Sequence, residues 1–129
     1  MKKTILTLVI TAALAIIGCK GEAKTETKTT VAPGVELSEV SFGVRGNCGM
    51  CKTTIETAVK NVEGVAEATW DVKKKSISIS YDEHVVQEDA FHKAIAMAGY
   101  DTEKLSGDND AYQKLPECCL YKRDQPMNQ

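Results

Sequence analysis

The order in which hydrophobic periods change along residues 38–105 leaves few folds open. Val40, Phe42 and Val44 alternate, the period of a half-buried strand. Ile55, Ala58, Val59 and Val62 then fall at i, i+3, i+4 and i+7, one face of a helix, and Gly64 predicts its stop. Ala68, Trp70 and Val72 return to period two. Lys73-Lys74-Lys75 reads as a charged turn, and Ile77, Ile79 and Tyr81 make a third strand with serines on its other face. Phe91, Ala94, Ile95 and Ala98 repeat the helical stripe, which Gly99 closes, and a short strand is predicted through Tyr100 to Leu105. The order is β-α-β-β-α-β, a split β-α-β unit. It predicts an α+β, ferredoxin-like sandwich, with two helices on one face of a four-stranded antiparallel sheet. Phe42, Val59, Ile79 and Ile95 are its expected core, with Trp70.

The 129 residues have room for one small domain plus flanking segments. Residues 1–18 read as a signal peptide: Lys2 and Lys3 are the charged start, and Ile5 to Ile17 is an apolar run too short for a comfortable membrane span. The run ends Ile16-Ile17-Gly18-Cys19, which resembles a bacterial lipobox. That resemblance implies cleavage before Cys19, acylation of that cysteine, and a lipoprotein held on a membrane of the cell envelope, facing the periplasm or the exterior. The alternatives are an ordinary signal peptide with a chance cysteine, or an uncleaved anchor. Residues 19–37 form the lipidated N-terminus and a linker of Thr, Lys, Glu and Ala without hydrophobic period, a solvated tether. The formal charge of −2 and the absence of a basic stripe argue against a nucleic-acid partner.

Between the first strand and the first helix lies Gly46-Asn47-Cys48-Gly49-Met50-Cys51. Two cysteines two residues apart at a helix start can close on one metal ion, and the free N–H groups and dipole of that helix end favour ionised thiols. Paired thiolates suit a soft ion such as Cu(I). The same spacing also serves zinc sites, redox dithiols and plain disulfides.

The flanking residues narrow this choice. Val44 and Gly46 before the cysteines, Ile55 after them, Val62-Glu63-Gly64-Val65, the stretch from Asp71 to Tyr81-Asp82, and Ala98-Gly99-Tyr100 together resemble the heavy-metal-associated domain. The resemblance covers residues 38–105. It implies a non-enzymatic protein that binds a soft ion through Cys48 and Cys51 and hands it on by thiolate ligand exchange. Cu(I) comes first, Hg(II) suits the same linear pair, and Zn(II) wants four ligands. It further implies, as partner, a metal-transporting ATPase, an efflux-pump component or another metal-binding domain. One departure stands out: the family reads Gly-Met-Thr-Cys, whereas only Asn47 separates Gly46 from Cys48. The loop is shorter and lacks the family methionine, so the family's usual packing beneath it does not carry over to this chain. The competing reading is a thiol-disulfide oxidoreductase with Cys48 as nucleophile and Cys51 as resolving thiol.

Several other residues carry expectations. Lys52 either offsets the charge of a bis-thiolate complex or is simply solvated. Met50, between the cysteines, is expected to be exposed and unbound. The resemblance places Tyr100 near the metal loop; ordinary packing at the second helix end is the alternative. His84 and His92 lack a partner at ligand spacing and are expected at the surface. Residues 106–129 form a C-terminal tail, with a helical turn predicted at Ala111 to Leu115 before Pro116. It carries the vicinal Cys118 and Cys119, which do not readily bond to each other. They are read as additional metal or redox thiols on a tail long enough to fold back onto the loop, or as one bridge to Cys48 or Cys51 with one thiol left over.

Overall fold

A computed structural model describes residues 34–129. The leader, Cys19 and the first part of the linker lie outside the described residues. Strand β3 (Ser76–Tyr81) is the centre of a three-stranded antiparallel sheet, between β1 (Ser38–Gly43) and β2 (Val65–Asp71). Register sets the apolar alternation of the three strands in rows across the sheet: Phe42 opposite Ile77 opposite Trp70, and Val40 opposite Ile79 opposite Ala68. The serines of β3 face outward, as the alternation predicts. In the turn joining β2 to β3, Asp71 Oδ1 accepts from the N–H of Lys73 and Lys74.

Helices α1 (Gly49–Lys60) and α2 (Glu88–Met97) bury the predicted stripes: Ile55 and Val59 on one, Phe91 and Ile95 on the other. The expected core residues are all buried, and Trp70 is fully so. Gly64 and Gly99 follow the helices at φ +89° and +93°, a region that costs a side-chain-bearing residue strain.

The fourth strand is not formed. Its stretch meets the end of β1 through an isolated bridge between Val44 and Thr102, with Arg45 N donating to Asp101 O at 2.9 Å and Glu103 N to Gly43 O at 3.1 Å. The reason is local. Thr102 N donates to Leu105 O, and Thr102 Oγ1 accepts from the N–H of Lys104 and Leu105, so the chain curls where a strand would extend. His92 is also not at the surface. It is buried, stacked on Phe42 with ring centroids 3.9 Å apart, and bonded to Thr102 Oγ1 at 2.7 Å and Glu88 Oε1 at 3.1 Å. Those three partners, invisible to ligand-spacing arguments, are what satisfy it in the core. His84 is exposed, as expected.

Residues 106–129 continue the packed unit. A short helix α3 (Asn109–Gln113), N-capped by Asp108, occupies the predicted helical turn, and a 3-10 turn (Glu117–Cys119) follows Pro116. Tyr121 is buried among the domain's own aromatics, its ring stacked near Tyr100 at 5.8 Å and edge-on to Tyr112 at 5.1 Å. Its hydroxyl accepts from Asp101 N at 2.8 Å and donates to Gly99 O at 2.9 Å.

Candidate metal centre

The loop after β1 is shaped by what lies beneath it. Gly46 is buried directly on the Trp70 indole: a Cβ there would sit 2.9 Å from Trp70 Cη2 and 3.2 Å from Cys51 Cβ. The indole N–H donates to Val44 O at 3.1 Å, fixing the ring under the loop. Trp70 thus packs directly beneath the shortened loop. Glycine at position 46 lets the backbone approach the ring closely enough.

Cys48 is the N-cap of α1, and Cys51 lies in its first turn. Their sulfurs are 3.6 Å apart, in contact but unbonded. Cys51 is fully buried, and its sulfur accepts from Asn47 N–H at 3.3 Å. The side chain of Asn47 is exposed, so only its backbone serves the site. No N–H closes a strict capping bond to Cys48 Sγ, yet the N–H groups of Cys51 and then Met50 are turned toward it. They hold its thiol down to about 7, against the desolvation that would raise it. A negative sulfur is therefore favoured at Cys48 first.

The vicinal pair arrives from the tail. The 3-10 turn sets Cys119 Sγ 3.8 Å from Cys48 Sγ and 3.8 Å from Cys118 Sγ, and the sulfurs of Cys48, Cys118 and Cys119 all lie within 4.8 Å of one another. Cys118 Sγ is 3.5 Å from the thioether of Met50. Cys119 is buried, and that burial pushes its thiol well above the ordinary range. Cys118 is exposed; its thiol is raised by the neighbouring Cys48 sulfur, which ionises ahead of it. Four thiols and one thioether thus share one corner of the molecule.

Tyr100 closes the floor of this corner. It is fully buried, and its hydroxyl is without a hydrogen-bond partner, although the thiols of Cys51 and Cys119 face it. Burial, and then the negative charge Cys51 can carry, raises the phenol, so it stays a donor. Lys52 does not point at the sulfurs. Its ammonium bonds to Glu56 and to Trp70 O at 2.7 Å, tying α1 to β2. Met50 is exposed, as expected, but its sulfur faces the tail.

The sequence reading did not find what docks the tail. Asp101, buried, accepts from Gly107 N at 2.8 Å and from Arg123 at 3.0 Å, and pairs with Arg45 at 3.4 Å. Gln125 bonds back to the loop, Nε2 to Gly46 O at 3.0 Å, while Arg45 Nε donates to Gln125 O at 2.7 Å. The one sequence signal was aromatic: Tyr112 and Tyr121 lie in the tail of a chain with only four tyrosines.

Over the domain, the chain is similar to known proteins. The model of the heavy-metal-associated domain matches residues 46–101. The copper chaperone CopZ of Staphylococcus aureus strain JH9 is 33% identical over 66 residues, which cover 50% of this chain and 97% of CopZ. Oxidized MerP from Ralstonia metallidurans CH34 superposes with a TM-score of 0.50 at 26% identity, over 53% of this chain and 96% of MerP. The water-soluble region of the P-type ATPase CopA from Bacillus subtilis also gives 0.50 at 26%, over 53% of this chain and 46% of that one. These matches leave the vicinal-cysteine tail without a counterpart in the family model, and over the domain itself they agree: the chain belongs to the heavy-metal-associated domain family.

Proposed function

We propose that the chain binds a soft metal ion, Cu(I) foremost, through Cys48 and Cys51 and hands it on by thiolate exchange, as a carrier in metal homeostasis or detoxification outside the cytoplasm. The observation that carries this reading is the unbonded 3.6 Å pair of thiols at the start of α1, one of them held down to about 7. The copper chaperone among its relatives supports Cu(I), and MerP among the similar structures keeps Hg(II) in view. Cys48, negative first, captures the ion; Cys51, whose sulfur lies 3.6 Å away, adds as the second ligand and gives its proton to solvent. A thiolate or thioether of a partner then joins as a further ligand, and a bond to Cys48 or Cys51 breaks. No bond to carbon is made or broken. Structural likeness to a P-type ATPase soluble region makes such an ATPase the first partner to try, ahead of an efflux-pump component or another metal-binding domain. An acylated Cys19 would hold the carrier at the membrane where such partners sit.

A lowered thiol also suits an attacking nucleophile, so the oxidoreductase reading makes a distinct prediction. The test is competition between the fully reduced chain and a Cu(I) chelator, with Cys48→Ser and Cys51→Ser alongside. Loss of tight binding in both variants is expected. Wild-type affinity in either one, or turnover of a disulfide substrate without metal affinity, overturns the reading.

A further inference from the structure

Building on the Cu(I)-carrier reading, we propose that Cys118 and Cys119 complete, with Cys48 and Cys51, a single four-thiolate pocket, so that a bound soft cation has at least three sulfur ligands and leaves only when the tail lifts. Three independent observations lead here. The first is spacing. A linear two-thiolate ion with metal–sulfur bonds of about 2.3 Å needs sulfurs about 4.6 Å apart, whereas a tetrahedral one needs edges of about 3.8 Å. The sulfur separations are 3.6 Å for Cys48–Cys51, 3.8 Å for Cys48–Cys119 and 3.8 Å for Cys118–Cys119. The sulfurs of Cys48, Cys118 and Cys119 lie within 4.8 Å of one another and Cys51 adjoins them through Cys48, so three sulfurs already stand close enough for one ion and the fourth has only to close in.

The second is the buried hydroxyl of Tyr100, unpartnered and facing Cys51 and Cys119. A neutral thiol is a poor acceptor; a metal-bound thiolate is a good one. The hydroxyl is therefore placed for the ionised forms of one loop cysteine and one tail cysteine together. The third is the tail's anchorage. Tyr121, Arg123 and Gln125 bond to Gly99, Asp101 and Gly46, on both sides of the loop. Anchors this close to the loop hold the vicinal pair over Cys48 as a fixed part of the site.

Binding balances simply. Each thiol that joins the ion loses its proton to solvent, and no electron moves. Charge then bears on what the pocket holds. Four thiolates around one Cu(I) leave a large negative charge, with Lys52 committed to Glu56. One Zn(II), or two Cu(I) sharing bridging sulfurs, leaves less. The pocket therefore differs from a two-cysteine loop in admitting Zn(II) and in holding Cu(I) more slowly exchangeable.

The test uses the full reduced chain with Cu(I), and separately Zn(II), as probes. X-ray absorption counts sulfur ligands, and transfer to excess chelator gives the release rate. Wild type is expected to show three or four sulfurs, and Cys118→Ser/Cys119→Ser two. Release of Cu(I) from the double variant should be faster by about tenfold or more, since ligand loss acts mainly on dissociation. Two sulfurs in the wild type, or equal release rates, overturn the proposal. The wild-type count decides even if the double variant does not fold. Cys48→Ser separates the two ideas. If it binds Cu(I) like wild type, the loop reading fails; if it loses Cu(I) while the tail variant matches wild type, only the four-thiolate pocket fails.

Discussion

Tyr100→Phe should change the two states of the protein in opposite directions. The hydroxyl is buried without a hydrogen-bond partner, and an unsatisfied buried polar group costs about 1–3 kcal/mol. Removing one oxygen leaves the ring in its stack near Tyr121 and deletes that cost, so the metal-free protein should become more stable by about 1–3 kcal/mol. For a domain of this size each kcal/mol moves Tm by about 4–8 °C, so a rise of at least about 4 °C is expected. With metal bound, the same oxygen donates to a thiolate, a contact worth about 1.5–3 kcal/mol, and its loss should weaken Cu(I) binding by roughly 10- to 100-fold. Calorimetric melting of the metal-free reduced protein and chelator competition for Cu(I) give both numbers on one preparation. A variant that melts lower without metal and binds Cu(I) as tightly as wild type would refute the reasoning. It would mean that the hydroxyl is satisfied in the free protein and idle in the loaded one.

Other outcomes follow from the same structure. Tyr121→Phe strips one donor and one acceptor from Gly99 O and Asp101 N, and should cost about 2–4 kcal/mol in urea unfolding; a shift below about 0.5 kcal/mol would show that the tail is not held there. Gly46→Ala forces a methyl against Trp70 and Cys51, and should cost about 1–3 kcal/mol and weaken Cu(I) binding, with a change in Trp70 fluorescence; unchanged fluorescence and affinity would contradict the packing described. In the metal-free protein, iodoacetamide should modify Cys48 first and Cys119 last, with the Cys48 rate rising through about pH 7; peptide mass spectrometry gives the order, and uniform rates would contradict it. The sign for stability agrees. The Cys48 thiol lies lower in the folded than in the unfolded chain, so its contribution is present above the ordinary thiol range and is lost as pH falls through about 7.

The frame of the fold was legible because its signals are local. Alternation in Val40–Val44 and Ile77–Tyr81 and the stripes of Ile55–Val62 and Phe91–Ala98 depend only on which residues recur at which spacing, and the three strands and two helices lie where those periods put them. What failed was decided by single side chains. Thr102 turns its hydroxyl back on Lys104 and Leu105 and ends the fourth strand before it starts. His92 finds Thr102 ten residues away and so can be buried. At the site, the adjacency of Cys48 and Cys51 follows from helical geometry and could be read directly. Reach alone allowed Cys118 and Cys119 to return to the loop. Where they land is set by Asp101, Tyr121 and Gln125, whose contacts span 20 to 79 positions and leave no periodic trace. Trp70 was read simply as core. Its placement beneath Gly46 makes it part of the site's foundation, a role that becomes visible only once β2 and the loop are brought together.

The most direct test of the carrier reading is the metal content and thiol state of the full chain isolated anaerobically from its native cells, measured by native mass spectrometry. The prediction is a protein carrying bound copper with Cys48 and Cys51 reduced, and loss of that metal in Cys48→Ser. A metal-free protein isolated with Cys48 and Cys51 joined in a disulfide would contradict it.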